Sequence, residues 1–393
     1  MKSCNEILSE NKKWAEEVLN RIDEKMSRVT LRSRSKLPDG VDENGVHVDR
    51  DPSWWTTGFW GGLNWLLYNA TGKEDYLLTA RESEKLLDKA LADYDELHHD
   101  VGFMWHILSG ASYRLTGDKA SRKRNLYAAS LLSSRFVLGG EFIRAWNGIS
   151  KFFGDTAGAT IIDTMMNLPL LYWASEELAD DRFKKVAMAH ADTTLRTHIR
   201  EDGSVAHIVD HDRNDGSAIT TYGGQGCGVG SSWTRGQSWA IYGYAISYRY
   251  TGEQRYLDAA MKVADYYISK LGEDYLSPVD FCQPKEQKWY DATAQAIVAA
   301  GLIDIAKLLP ESEGAKYAAV AVKMLRAMEE KFLSYDPDRD DMVCYGTVRY
   351  PTALNGDNDP DMIKKLVHVS IIYGDFFYTE AILKLVGSDF NIW

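Results

Sequence analysis

Two acids stand where acids are energetically unfavourable. Asp163 interrupts the apolar run IIDTMMNLPLL (161–171), and Asp100 closes LHHD just before the apolar, glycine-bearing GFMW. An ionised carboxylate among apolar neighbours must be compensated or protonated. Two such acids at short range push one pKa upward, which makes a general acid that works at neutral pH. Each acid also has a structural explanation: aspartate is a favoured N-cap, and the helix dipole favours it at N-termini. Pro169 complicates the cap at Asp163, because proline belongs in the first turn of a helix and not six residues in.

The densest stretch is YGGQGCGVGSSWTRGQSW (222–239). Its glycines are neither preceded by a strand pattern nor followed by Gly-Lys-Ser, which argues against a phosphate loop and for a flexible wall close to a ligand. Trp233, Arg235 and Trp239 follow as an arginine flanked by rings. A guanidinium matches a carboxylate in bidentate fashion and rings suit a pyranose face; a structural arginine among core tryptophans is the alternative. HIVDHDRNDG (207–216) resembles a calcium loop, but its glycine falls one place late and Thr221 stands where a glutamate is needed. A turn near His207 is expected instead. Lys364, Lys365 and His368 read as a solvated charge run, with a sulfate contact as the alternative.

Helical periodicity dominates the elements that must position these residues. In YNATGKEDYLL, YRLTGDKASRK and YRYTGEQRYLD an apolar helix ends in Thr-Gly, turns, and restarts as an amphipathic helix, a repeated hairpin. Helices are expected near 5–28, 58–69, 75–92, 102–115, 119–134, 161–175, 180–199, 236–250, 255–270, 291–308, 313–334 and 375–386. The first member of a Thr-Gly pair is rich in Trp, Gly and small residues and its partner in Lys and Glu. An inner ring inside an outer amphipathic ring, an α/α barrel, accounts for this; an open solenoid of hairpins also fits. No low-complexity linker divides residues 1–393, so one domain is expected. The long stretches 29–53, 136–160, 200–235, 273–290 and 336–374 are the expected functional loops.

A formal net charge of −12 disfavours nucleic acid as a partner, and an anionic small substrate would need a local arginine. No apolar run approaches a membrane span. The first residues read as an amphipathic helix without a secretory layout, and Cys4, Cys227, Cys282 and Cys344 show no paired spacing, so a reducing compartment, the cytoplasm, is expected. The chain holds 12 Trp and 22 Tyr, which suit sugar surfaces as well as a core.

With HHDVGF, EFIRAWNG, IIDTMMNLPLLYWAS, SSWTRGQSWAIYG and YDATAQAIVAAGL taken together, the sequence resembles family 88 of the glycoside hydrolases, the unsaturated glucuronyl hydrolases. The resemblance implies an all-α, six-hairpin (α/α)6 barrel with no metal and no cofactor. It implies Asp163 as general acid and base and Asp100 as the second essential carboxylate. His207, Gln225, Arg235, Trp146, Trp233 and Trp239 would line the site, together with Trp54 or Trp55. The implied substrate is a small unsaturated oligosaccharide left by polysaccharide lyases, of chondroitin, hyaluronan or heparin type, and the implied reaction is hydration of its C4=C5 vinyl ether, with Asp163 kept protonated by its apolar surroundings. Thr234 to Gln237 favours this branch over the related unsaturated rhamnogalacturonyl hydrolases. The segment 148–160 is longer than the family implies. A sugar epimerase using His98, His99 and His207, or a non-catalytic sugar-binding barrel, are the competing classes.

Overall fold

Thr-Gly marks the helix ends where the sequence places them. Gly72, Gly117 and Gly252 sit at φ of 70°, 73° and 71° just past three inner helices, each in the left-handed region where a side chain is strained. The computed structural model describes residues 2–150, 154–357 and 359–393.

Six inner helices form a closed ring: α2 (Thr57–Thr71), a π-helical segment (Gly102–Gly110) continuing into α4 (Ala111–Thr116), α6 (Leu168–Leu178), α8 (Thr234–Thr251), α10 (Ala292–Leu308) and α13 (Ile372–Val386). Around them lie α1 (Cys4–Arg32), α3 (Glu74–Asp93), α5 (Lys119–Ser134), α7 (Arg182–Thr197), α9 (Gln254–Lys270) and α11 (Glu311–Lys331). The inner α10 is apolar on nearly every face and buried almost throughout, whereas the outer α9 buries Tyr256, Ala260, Val263 and Tyr267 at helical spacing. Five hairpins join chain neighbours. The sixth pairs the two ends of the chain, α1 packing on α13 and α11, and this closes the ring as an (α/α)6 barrel. A short α12 (Pro360–Leu366), absent from the sequence expectation, lies in the last long connection.

Two expected helices differ in a way that matters. The segment expected at 161–175 is three pieces: a strand ending at Ile161, a 3-10 turn over Ile162–Met166, and α6 from Leu168. Pro169 therefore lies in the first turn of α6, where its missing N–H is not needed. The segment expected at 102–115 opens as a π-helix, whose extra residue per turn is frequent at functional sites.

Strands are few and short. Ala159–Ile161, Ile208–His211 and Ala218–Tyr222 form an antiparallel sheet, and the turn expected near His207 falls at 213–215, beyond the strand that His207 precedes. Within 148–160, Ile149–Ser150 pairs with Gly154–Asp155, and 151–153 lie outside the described residues. The four cysteines are free. No helix among the described residues is long and apolar enough to cross a membrane.

The inner helices share one polarity. Their starting ends carry Trp55, Asp100, Asp163, Arg235, Asp291 and Tyr373, which meet at one end of the barrel. The other end is plugged by the last residues. Trp393 stacks on Phe377 with ring centroids 5.7 Å apart, and Arg249 Nη2 donates to its carbonyl at 2.9 Å.

Candidate active site

Strand register brings His207 to Asp163. Ile161 pairs with Ile208, and Ile162 N donates to His207 O at 3.1 Å, so the residues just beyond that pair leave the sheet side by side. His207 Nε2 stands 3.5 Å from Asp163 Oδ1, and both atoms are buried with no hydrogen-bond partner among the described residues. Gln225 N donates to His207 Nδ1 at 2.9 Å. A neutral imidazole that accepts at Nδ1 carries its proton at Nε2, the nitrogen facing Asp163. The side chain of Asp163 is thus no helix cap: the cap of its turn is Ile161, and α6 begins after Asn167.

Asn167 ties the two acids together. Its Nδ2 donates to Asp100 Oδ1 at 3.2 Å and to Asp163 O at 3.4 Å, while its Oδ1 accepts from Phe103 N at 2.9 Å. This contact needs Gly102, since a Cβ there would come within 2.7 Å of Asn167 Cα and 2.9 Å of its carbonyl oxygen. On its other side Asp100 Oδ2 lies 3.4 Å from His98 Nδ1 and 3.3 Å from His99 Nε2. Burial first, then the charge of Asp163, push the Asp100 carboxyl well above the usual aspartate range; Asn167 and Arg135 oppose this. Burial pushes His98 down to about 4 and His99 well below its usual value. Burial and the neighbouring acid thus favour the protonated form of the Asp100 carboxyl.

Arg235, in the first turn of α8, is buried against Asp291, the N-cap of α10. Its Nη1 donates to Asp291 Oδ2 at 2.6 Å and to Thr347 O at 2.5 Å, and its Nη2 to Val348 O at 2.7 Å. Burial opposes its charge, but Asp291, Tyr373 and Asp163 outweigh that and hold its pKa above the usual value. The rings that face it are Trp233, at 4.5 Å, and Tyr373, at 5.6 Å. Trp233 also packs on His207 at 4.2 Å. Trp239, expected to line the site, is fully buried one layer below and packs on Phe103 and Tyr373, so it supports the floor.

A cavity of about 1250 Å³ opens beside these groups, with Gln225 and Arg235 in its wall. Gln225 Nε2 donates to Val348 O at 2.6 Å. Both members of the tryptophan doublet line the cavity but differ in surroundings. Trp55 packs on Tyr373 at 5.3 Å, while Trp54, 43% exposed, lies under Arg50 at the rim. Lys364, Lys365 and His368 line the same cavity. Trp146 is half-buried, edge-on to His99 at 6.2 Å.

The sequence reading found no metal-ligating cluster. Among the described residues there is one group with suitable atoms, His98, His99 and Asp100, all within 4.8 Å of one another. It also missed Asn167 as a member of the site, although its spacing of four from Asp163 and the glycine at 102 are visible in the sequence.

The model of Glycosyl Hydrolase Family 88 matches residues 24–301. An unsaturated glucuronyl hydrolase of Bacillus sp. strain GL1 is 34% identical over 374 residues, covering 93% of this chain and 96% of the relative. An unsaturated chondroitin disaccharide hydrolase of Streptococcus pyogenes serotype M1 is 28% identical over 378 residues, covering 94% and 91%. The crystal structure of an unsaturated glucuronyl hydrolase specific for heparin superimposes with a TM-score of 0.85 at 27% identity, covering 95% of this chain and 97% of that one. The family model covers both acids, the Bacillus relative matches 93% of the chain, and the chain belongs to glycosyl hydrolase family 88, with the unsaturated glucuronyl hydrolases.

Proposed function

We propose that this glycoside hydrolase removes the 4,5-unsaturated uronic acid from the non-reducing end of lyase-generated glycosaminoglycan oligosaccharides, by hydrating the C4=C5 double bond. The observation that carries the reading is the acid pair joined by Asn167, with the Asp100 carboxyl pushed well above its usual range by burial and Asp163 facing His207. The names of the relatives support the substrate class.

The C4=C5 bond is a vinyl ether conjugated to a carboxylate. Protonation at C4 leaves an oxocarbenium ion at C5, stabilised by the ring oxygen. Water adds at C5 and gives up a proton, and the ring of the resulting hemiketal opens to a ketone at C5. This leaves a hemiacetal at C1, which releases the remaining sugar. One carboxyl can donate the first proton and take the second. We assign that role to Asp163, with Asp100 as the second essential carboxyl beside it. The rule relating carboxylate separation to inversion or retention does not apply, because no displacement occurs at C1.

Two features suit an anionic sugar. The inner helices direct their positive ends toward the site. Arg235 gives Nη1 and one bond from Nη2 to the protein, and we assign its Nε–H and second Nη2–H to the uronate carboxylate. His207 Nε2–H orients Asp163, and Trp54 and Trp55 offer ring faces for the sugar.

Asp163→Asn tests the assignment. Unsaturated disaccharide affinity should be kept while turnover falls by at least about a hundredfold, the lower range for a lost general acid. Unchanged turnover would remove Asp163 from the chemistry and leave room for a non-catalytic barrel.

A further inference from the structure

His98, His99 and Asp100 are consecutive, yet their side chains converge on one point. His98 Nδ1 and His99 Nε2 lie 3.4 Å and 3.3 Å from the same oxygen, Asp100 Oδ2. In a tetrahedral site with metal bonds of about 2.0–2.1 Å, neighbouring ligand atoms stand roughly 3.3–3.4 Å apart. These two separations match edges of a zinc tetrahedron; the third, between His98 Nδ1 and His99 Nε2, is bounded only by the 4.8 Å spread of the group and closes by rotation of the half-buried His98 side chain.

Two of the three ligands are held through their other polar atom, as in metal sites. Asp100 N donates to His98 Nδ1 at a long 3.5 Å, so this nitrogen carries its lone pair, and a cation would take it over from that amide. His99 Nδ1 lies 2.9 Å from Thr164 Oγ1, which leaves Nε2 as the ligating nitrogen. Asn167 holds Asp100 Oδ1 and leaves Oδ2 for a cation. Ligating histidines and carboxylates are oriented in this way through their other polar atom. The His98 side chain is 24% exposed and offers a route from solvent.

We propose that His98, His99 and Asp100 form a binding site for a zinc-class divalent cation, and that its occupation reversibly inhibits the enzyme by taking Asp100 out of the acid pair. Two imidazoles and one carboxylate favour Zn²⁺ over the harder Mg²⁺ and Ca²⁺. Three protein ligands leave a fourth position for water. The inhibitory half rests on the role assigned to Asp100; the binding half does not.

The test titrates the chelator-treated full chain with zinc chloride in competition with a chromophoric chelator, with magnesium chloride as control. One equivalent of zinc should bind and magnesium should not. Thr164→Val, which removes only the hydroxyl behind His99, should weaken zinc binding about 10- to 100-fold. His98→Ala should weaken it at least as much, with a melting curve to confirm folding. Absence of stoichiometric binding, or binding that neither variant changes, overturns the site. In a parallel assay, inhibition of unsaturated-disaccharide turnover should follow zinc occupancy. Full occupancy with undiminished turnover overturns the inhibitory half and, with it, the role of Asp100. Undiminished turnover without binding overturns the site alone.

Discussion

His207 Nε2 and Asp163 Oδ1 face each other at 3.5 Å, each without another hydrogen-bond partner among the described residues. The imidazole is fixed from behind by Gln225 N on Nδ1 and from one face by Trp233. A donor held in this way contributes most when charge changes on the group it faces. His207→Ala is expected to lower kcat about a hundredfold, in the range for one lost preorganised donor, with KM changing far less. A loss confined to KM in steady-state assays would show that His207 acts only in binding.

Asp100 titrates under opposing influences, and Asn167 is the removable one. Burial and Asp163 raise its pKa, and the hydrogen bond from Asn167 lowers it. In the proposed mechanism the form with Asp100 protonated is the active one, so activity should be lost as pH rises through the pKa of Asp100. Asn167→Ala removes the lowering bond, and the alkaline limb of the kcat/KM profile should move to higher pH. A limb that stays in place, or moves down, contradicts the assignment. Because Phe103 N also loses its acceptor, stability should fall by about 1–3 kcal/mol.

Arg235 pairs with Asp291 and, in the proposed function, binds the uronate carboxylate; substitution can separate the two. Removing the guanidinium outright would strand the buried Asp291, a loss of about 3–5 kcal/mol. Arg235→Lys keeps a positive charge near Asp291 but loses the planar fork. KM for the unsaturated disaccharide is expected to rise at least about tenfold, the effect of roughly 1.4 kcal/mol, and kcat to change less. An unaltered KM would place the uronate carboxylate elsewhere.

Histidines buried behind the site make the fold acid-sensitive. Burial pushes His190 down to about 3, and its Nδ1 accepts from Ile143 N at 3.0 Å. An unfolded histidine titrates near about 6.5, so below that pH the unfolded chain takes up a proton that folded His190 refuses. The stability is fully present above pH 6.5 and is lost as pH falls toward 3. Asp100 and Asp375, the latter pushed up to about 7 by burial, bind protons in the folded state and work in the opposite direction. The comparison with His190→Gln isolates the histidine. Between pH 6.5 and 4.5 the parent should lose about 1.4 kcal/mol more per pH unit than the variant in urea denaturation. Parallel pH dependences would contradict the buried neutral imidazole.

The parts legible in the sequence are those set by local pattern. Thr71-Gly72, Thr116-Gly117 and Thr251-Gly252 mark helix ends because the left-handed cap is a local demand. The contrast between apolar α10 and amphipathic α9 gives inner and outer rings because burial sets composition. Asp163 and Asp100 stand out because apolar neighbours make an acid conspicuous. What escaped depends on distant partners. The strand ending at Ile161 is made by Ile208, and the pairing of α1 with α13 joins opposite ends of the chain, so no window of sequence contains either contact. The π-helical segment Gly102–Gly110 packs at Gly102 against Asn167, a residue from another element that no local window contains. Trp233 and Trp239 look equivalent beside Arg235 in sequence. Only the packed barrel puts one ring against the guanidinium and the other in the floor.

The central claim is that this protein protonates C4 of a 4,5-unsaturated uronic acid. Its most direct test is the absorbance of the conjugated double bond in unsaturated chondroitin, hyaluronan and heparin disaccharides, followed in heavy water with mass analysis of the uronic acid product. The expected result is enzyme-dependent loss of absorbance on at least one of them, with one deuterium fixed at C4 and no such loss with Asp163→Asn. Absorbance that persists on all three, or a product without deuterium at C4, would contradict the account.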